Sequence, residues 1–246
     1  MQGGSVKRGM ERRGFLGGML AGALGLPGLL GACATPAARA ALGTPAEQIT
    51  ATGFATLRLD GATRGAVVGF GERHVMTCAH LLGAGDESVT LSRGDGTETA
   101  ARVVARSRRM DLALLRVPAG FLAAPVSAET PPQRGEPVWA AGAPGIGHAV
   151  AQGHVEAPDA EMPGFGRGFT ARMPALMGYS GGPVVDREGR LMGLTAALPE
   201  PGAAGALAFL TGADLDGLAR RDRQVFVLSI RRAEAEAARL LGSTAA

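Results

Sequence analysis

Residues 177–186 read MGYSGGPVVD, a serine in a glycine-rich turn with an apolar strand behind it. A serine hydroxyl is a weak nucleophile unless a base takes its proton and hydrogen-bond donors stabilise the oxyanion that forms. Glycines at Gly178, Gly181 and Gly182 let the backbone turn sharply and aim N–H groups at a substrate carbonyl. The turn around Ser180 therefore indicates acyl-transfer chemistry, although glycine-rich turns also occur simply as connections between strands.

Two upstream segments contain the residue types that such a serine needs. Residues 69–81 read GFGERHVMTCAHL, a strand pattern that ends at His80. Residues 110–117 read MDLALLRV, which places Asp111 at the head of an apolar strand. The order along the chain is therefore histidine, aspartate, serine, and this order differs among the unrelated folds that assemble the same triad.

The order of histidine, aspartate and serine along the chain excludes an α/β-hydrolase fold, and a subtilisin-like arrangement has little support. The pattern G-x-S-x-G at 178–182 matches the α/β-hydrolase turn, but that fold needs a histidine after the serine, and every histidine here precedes it. A subtilisin-like order would combine Asp111 with His148 or His154, and neither histidine lies in a recognisable motif. Simpler interpretations remain open, in which His80 only ends a strand and Asp111 only opens one.

The three blocks TCAH at 77–80, DLALL at 111–115 and GYSGGP at 178–183 resemble the active-site blocks of the chymotrypsin-like, or trypsin-like, serine proteases. The nearest style is the bacterial HtrA/DegP-like branch without its PDZ domain, because the segments 136–144 and 190–195 are similar too. The resemblance covers about residues 50–241. It implies an all-β fold of two six-stranded antiparallel β-barrels with a C-terminal helix.

The resemblance also implies a role for each site residue. Ser180 is the expected nucleophile, His80 the general base, and Asp111 the group that orients the imidazole. The backbone N–H groups of Gly178 and Ser180 are the expected oxyanion hole. The implied reaction is hydrolysis of peptide bonds in proteins or peptides through an acyl-enzyme. No His-Glu-x-x-His or paired-cysteine spacing occurs, so we predict neither a metal nor a cofactor.

Substrate preference is predicted from the family position of the primary pocket. Pro174 falls near its floor, and Ala196, Ala197 and Leu198 fall along its wall. No acid stands at these positions, which favours small or medium apolar side chains over Lys or Arg. The segment 199–223 is longer than a simple hairpin and is expected to cover or reshape this pocket.

Two other positions depart from the family pattern. Tyr179 precedes the serine where digestive proteases place an aspartate, which argues against activation by cleavage of a zymogen. Cys78 stands two residues before His80 and is predicted to be a small buried side chain. A hydroxyl that relatives place near the triad aspartate falls near Thr195 or Ala196 in this sequence.

Residues 1–33 have the layout of an export signal. Four basic residues precede an uncharged stretch at 14–38, and the segment RRGFL at 12–16 resembles a twin-arginine motif. The segment LGAC at 30–33 resembles a lipobox, which predicts lipidation at Cys33 and a lipid anchor in the bacterial cell envelope. The alternative is secretion after cleavage at Ala40. Residues 34–50 would then be a linker and 51–246 the protease domain.

The charge distribution and the two cysteines bear on nucleic-acid binding and on disulfide formation. The leader holds four basic residues and one acid, a net charge of +3, and the whole chain is also +3, so the remainder is nearly neutral. Nucleic-acid binding therefore has no support. With Cys33 lipidated, Cys78 has no partner for a disulfide. A protease-fold binding or scaffolding protein with an idle triad, or an esterase, remains an alternative, and the oligomeric state is open.

Overall fold

Two closed antiparallel β-barrels account for all the strands in the computed structural model, which describes residues 44–144, 147–175, 177–197 and 223–244. The first barrel has the strand order β1-β2-β3-β6-β5-β4, and the second has the order β10-β11-β12-β9-β8-β7. The predicted fold class, two six-stranded barrels with a C-terminal helix, is confirmed.

The strands of the first barrel are β1 (Phe54–Leu59), β2 (Ala62–Phe70), β3 (His74–Thr77), β4 (Ser88–Ser92), β5 (Glu98–Arg106) and β6 (Ala113–Arg116). Those of the second are β7 (Pro137–Gly142), β8 (Ala149–Met162), β9 (Gly166–Met173), β10 (Pro183–Val185), β11 (Leu191–Ala197) and β12 (Arg223–Ser229). A short 3₁₀ turn at Ala79–Leu81 follows β3.

Alternation of apolar and polar residues explains how these strands face the barrel interiors. In β4, Val89 and Leu91 are buried, whereas Ser88 and Thr90 between them are exposed. Successive side chains of a strand point to opposite faces, so this alternation places one row in the core. The cores of both barrels are filled with aliphatic side chains and a few large aromatic ones, such as Phe169.

A helix precedes the first strand. Helix α1 (Pro45–Thr52) begins with a proline, which suits the first turn of a helix, and its Ala46 and Ile49 are buried. It packs on β1, β7 and β10. Residues 45–50, predicted from the sequence to be a linker, are therefore helical, and their two apolar side chains Ala46 and Ile49 belong to the core. The predicted export signal at 1–33, with Cys33, lies outside the described residues.

Helix α2 (Ile230–Thr244) is the last element of the described chain, and it is longer at both ends than the segment 234–241, over which the apolar spacing of the sequence predicts a helix. Ala233, Ala237 and Leu240 are buried on one face, and the helix packs on β11, β12 and β5. No helix in the described ranges is long and apolar enough to cross a membrane. The predicted insert at 199–223 lies outside the described residues, except for Arg223, which begins β12.

Two glutamates fasten α2 to the rest of the fold. Glu234 accepts a hydrogen bond of 2.5 Å from the hydroxyl of Ser127, in the connection between the barrels. Glu236 is buried and accepts a hydrogen bond of 2.6 Å from the hydroxyl of Ser107. Arg239 donates two more to the same carboxylate. The hydrogen bonds from Arg239, with a smaller contribution from Ser107, lower the pKa of Glu236 from 4.5 to about 2.

We expect Gly168→Ala to destabilise the second barrel. A Cβ at this position would lie 1.9 Å from the carbonyl oxygen of Val227 on the paired strand, so the backbone must shift. The expected loss is about 1–3 kcal/mol in the free energy of unfolding by urea. Gly85→Ala is the matched control, because an added Cβ there meets nothing within 4 Å. Equal stability of the two variants would contradict the barrel register.

We also expect Glu236→Gln to change the acid dependence of stability. The carboxyl of Glu236 binds protons more weakly in the folded protein than in the unfolded chain, because its pKa is lowered to about 2. Its stabilising contribution is therefore complete above about pH 5.5 and is lost as the pH falls through 4.5 towards 2. With allowance for solvent around Arg239, the contribution is about 1–2 kcal/mol.

Urea unfolding at pH 7, 5 and 3.5, in a Ser180→Ala background that prevents self-cleavage, measures this difference between the glutamate and glutamine forms. The difference in the free energy of unfolding between the glutamate and glutamine forms should be largest at pH 7 and smaller at pH 3.5. A gap that stays constant over this range would contradict the assigned ionisation of Glu236.

Candidate active site

The register of two strands brings His80 and Asp111 together. Strands β3 and β6 pair antiparallel with Thr77 opposite Ala113, so the end of one strand meets the beginning of the other. The backbone N–H of His80 donates to Asp111 Oδ1 at 2.8 Å, and ring atom Nδ1 lies 2.6 Å from Oδ2. The Asp111 side chain is 5 % exposed and that of His80 is 24 % exposed. Both carboxylate oxygens are thus bound by one residue.

This geometry fixes which ring nitrogen of His80 carries the proton. A carboxylate can only accept hydrogen bonds, so Nδ1 is the donor to Asp111 and the neutral ring keeps its lone pair on Nε2. The Nε2 atom is therefore the position from which the imidazole can act as a base.

The second barrel also contributes to the position of Asp111. The backbone N–H of Asp111 donates to the carbonyl oxygen of Phe165, in the turn between β8 and β9, at 3.2 Å. The Phe165 ring lies 6.0 Å from the His80 ring, centroid to centroid. Phe165 could not be predicted from the sequence, because its contact with Asp111 is made by a backbone carbonyl, which every residue possesses.

The turn around Ser180 has a conformation that requires its glycines. Gly178 has φ +96° and Gly181 has φ +79°, both in the left-handed region. A Cβ on Gly181 would lie 2.2 Å from the carbonyl oxygen of Ala66. The N–H of Gly181 donates to the Thr195 carbonyl at 2.7 Å, which ties the turn to β11.

Backbone contacts place this turn beside the strand that leads to His80. The N–H of Ala66 donates to the carbonyl of Ser180 at 2.8 Å, and the Thr77 hydroxyl donates to the carbonyl of Ala66 at 2.7 Å. Thr77 stands three residues before His80. The Ser180 side chain is half-buried. The structure thus brings the turn of the second barrel to the edge of the first at which His80 and Asp111 lie.

The turn also contains backbone N–H groups that are not hydrogen-bonded within the described part of the fold. Within the described ranges, no protein acceptor is present for the N–H of Gly178 or for that of Ser180. The carbonyl of Gly178 accepts a hydrogen bond of 3.0 Å from the N–H of Ala143, which follows β7. This bond attaches the turn to the end of that strand. These two N–H groups are the ones expected from the sequence to form the oxyanion hole, and that assignment stays a prediction.

Cys78 is fully buried, in agreement with its predicted role, and it also belongs to the surroundings of the triad. Its thiol donates to the Thr195 carbonyl at 3.3 Å. Burial and the neighbouring Asp111 carboxylate raise the pKa of the thiol well above its ordinary value. Potential ligand atoms of Cys78, His80 and Asp111 lie within 4.8 Å of one another, but the His80–Asp111 hydrogen bond occupies this cluster and we assign it no ion.

Tyr179 anchors the turn to the core of the second barrel. Its side chain is 3 % exposed, and burial raises its pKa to about 12. It lies against Gly142, where a Cβ would meet the ring at 2.5 Å. An aromatic ring therefore packs in the core at the position that holds a carboxylate in the digestive enzymes of the resembled family.

Only part of the predicted substrate pocket can be located. Pro174 is exposed immediately after β9, and Ala196 is buried in β11. Leu198 and the side chain of Ala197 lie outside the described part of the chain. The assignment of these four residues to the primary pocket stays a prediction.

Comparison with known proteins gives one family and one fold. Residues 47–194 match the family model described as a trypsin-like peptidase domain. No curated protein matches the sequence. The active form of the Rv3671c protease from M. tuberculosis has a TM-score of 0.64 at 24 % identity, covering 80 % of this chain and 84 % of that one.

Two further solved structures share the fold. The inactive form of the Rv3671c protease has a TM-score of 0.61 at 23 % identity and covers 80 % of this chain and 93 % of that one. A serine endoprotease from Yersinia pestis has a TM-score of 0.60 at 20 % identity and covers 80 % of this chain and 65 % of that one.

We expect the Cys78 thiol to resist alkylation in the folded protein. It has no exposed surface, and its raised pKa leaves little thiolate, which is the reactive form. Iodoacetamide labelling followed by mass spectrometry at pH 8, on a Cys33→Ser variant, measures Cys78 alone. Labelling should become rapid only in denaturant. Rapid labelling of the folded protein would contradict the burial of Cys78 beside the triad.

Proposed function

The chain belongs to the trypsin-like peptidase family of serine endopeptidases, and we propose that it hydrolyses peptide bonds through His80, Asp111 and Ser180 by way of an acyl-enzyme. The observation that carries this proposal is the pair of hydrogen bonds from His80 to the buried Asp111 carboxylate. The placement of the Ser180 turn against the strand that leads to His80 supports it.

In the proposed mechanism, His80 Nε2 takes the proton of the Ser180 hydroxyl as that oxygen attacks the carbonyl carbon of the substrate. The resulting imidazolium is stabilised by Asp111, which accepts from Nδ1. The N–H groups of Gly178 and Ser180 donate to the oxyanion. The imidazolium then gives its proton to the leaving amine, and a water molecule repeats the sequence to hydrolyse the acyl-enzyme.

The preorganised turn contributes most of the stabilisation of the oxyanion in this mechanism. Loss of one such donor typically raises the barrier by about 2.7–4 kcal/mol. The positive φ angles of Gly178 and Gly181 set the direction of the N–H groups before substrate binds. The backbone therefore needs no rearrangement when charge develops on the oxygen.

The proposed substrates are proteins or peptides with a small or medium apolar side chain at the primary pocket. Ala196 is buried in β11, and no acid occupies the positions assigned to the pocket. Such a pocket offers no counter-charge to Lys or Arg.

We further propose that the enzyme acts in the bacterial cell envelope. This proposal rests on the leader of the sequence, in which basic residues precede an apolar stretch that ends in the lipobox-like LGAC at 30–33. Lipidation at Cys33 would hold the enzyme on a membrane, and cleavage after Ala40 would release it instead.

We expect a fluorophosphonate probe to label the purified wild-type chain but not Ser180→Ala. The probe phosphonylates a serine only when a base activates its hydroxyl. Asp111→Asn keeps the size of the side chain but removes the charge that orients His80, so its labelling should be slower by up to about 10⁴-fold. Gel fluorescence against time measures all three rates, and circular dichroism checks that each variant is folded.

Folded wild-type protein that takes no probe would instead have an idle or blocked site, and a binding or scaffolding role would then explain the fold better. A labelled protein that hydrolyses activated esters but no peptide amide, in a library of apolar peptides, would be an esterase. Both outcomes would overturn the proposed endopeptidase.

A further inference from the structure

A chain of hydrogen bonds runs from the C-terminal helix to the loop that carries Asp111. Helix α2 packs on β11 and β12 of the second barrel, and its Glu236 is buried. The hydroxyl of Ser107, in the loop between β5 and β6 of the first barrel, donates to Glu236 Oε1 at 2.6 Å. The two residues are 129 positions apart in sequence. The helix, which also packs on β5 of the first barrel, thus links the second barrel to the loop that carries Asp111.

Ser107 in turn organises that loop. Its hydroxyl oxygen accepts the backbone N–H of Arg109 at 3.0 Å and that of Met110 at 3.3 Å. Its own N–H donates to the Leu112 carbonyl at 2.8 Å. A hydroxyl has a single proton, and here that proton goes to Glu236. The lone pairs therefore face the two loop N–H groups, and the carboxylate fixes the direction of the hydroxyl.

The hydrogen bonds of Ser107 involve the residues immediately before and after Asp111 in the sequence. Met110 precedes the aspartate and Leu112 follows it, and both are tied to Ser107. The aspartate's own N–H is bound to the Phe165 carbonyl. The backbone N–H groups of Met110, Asp111 and Leu112 are thus all hydrogen-bonded, and the carboxylate is left to meet His80.

We propose that Ser107 and Glu236 are positioning residues for the triad: through the loop at 107–112 they hold the Asp111 carboxylate in the place where it binds His80. Arg239 completes the assembly, because it donates to both oxygens of Glu236 and keeps the carboxylate in line with Ser107. This inference rests on the proposed function only for its effect on rate. The effect on the His80–Asp111 hydrogen bond does not depend on activity.

The same helix supplies a matched control. Glu234, two residues earlier on α2, accepts a hydrogen bond from Ser127 in the connection between the barrels. Both pairs join a glutamate of this helix to a serine hydroxyl that lies more than 100 residues earlier in the chain. The bond at Ser127 lies outside the loop of the aspartate, however, and its backbone neighbour is Leu191 of β11. Ser127→Ala should therefore loosen the helix without moving Asp111.

The test compares Ser107→Ala with Ser127→Ala in the full chain. Proton NMR records the downfield resonance of the His80 Nδ1–H, which reports its short hydrogen bond to Asp111 directly. We expect Ser107→Ala to shift or broaden this resonance and Ser127→Ala to leave it unchanged. Steady-state kinetics on a peptide substrate should show kcat reduced about 10- to 100-fold in Ser107→Ala with KM nearly unchanged.

Two more variants separate positioning from a general loss of stability. Ser107→Thr keeps the hydroxyl and should restore most of the resonance and of kcat. Glu236→Gln keeps an oxygen that can accept from Ser107, so it should perturb the resonance less than Glu236→Leu does. These comparisons remain available where Ser107→Ala does not fold, and thermal unfolding shows how stable each variant is.

The inference is wrong if Ser107→Ala leaves the resonance and kcat unchanged, or if Ser127→Ala perturbs both to the same extent. A wild-type chain that neither hydrolyses peptides nor takes the fluorophosphonate probe would refute the proposed function alone. In that case a resonance altered by Ser107→Ala but not by Ser127→Ala would still support the positioning of Asp111.

Discussion

The buried carboxylate of Asp111 is the group on which the arrangement of the site depends. A charge removed from water is costly unless it is paired and hydrogen-bonded. Here both oxygens are bound by one residue, His80, once through the backbone and once through the ring. The bond through the backbone holds the residue in place even when the ring changes its protonation state. In the proposed mechanism, this bond would keep the pair aligned while the ring takes up and releases a proton.

The two barrels meet at this site through backbone groups. The Thr195 carbonyl of the second barrel accepts from Gly181 in the serine turn and from the Cys78 thiol of the first barrel. The Ser180 carbonyl accepts from Ala66 of the first barrel. Such close approach leaves space only for small side chains, as the contact of Gly181 with Ala66 shows. The small residues of the motif are therefore a consequence of how closely the barrels pack.

Local patterns were enough to predict the fold class, and they also gave the proposed triad residues, of which the structure joins His80 to Asp111 by hydrogen bonds. Each depends on residues adjacent in sequence, such as a glycine-rich turn or a polar residue at the end of an apolar strand. The supporting groups had no such signature. Phe165 acts through its carbonyl oxygen, which every residue possesses. Glu236 stands on a helix where a charged residue usually faces solvent, and only the tertiary fold shows that it is buried.

The supporting groups also explain how two separate barrels can keep one site aligned. His80 and Asp111 belong to the first barrel and Ser180 to the second, so any sliding between barrels would change the distance over which the proposed proton transfer takes place. Phe165 and Glu236 both belong to elements packed with the second barrel, and both hold the loop of Asp111. The aspartate, and through it the imidazole, is thereby fixed relative to the barrel that carries the serine. These polar contacts add to the apolar packing between the barrels, in which Met76 of the first barrel and Leu194 of the second belong to one buried cluster. The apolar cluster holds the barrels together, and the hydrogen bonds fix the position of the aspartate loop within that packing.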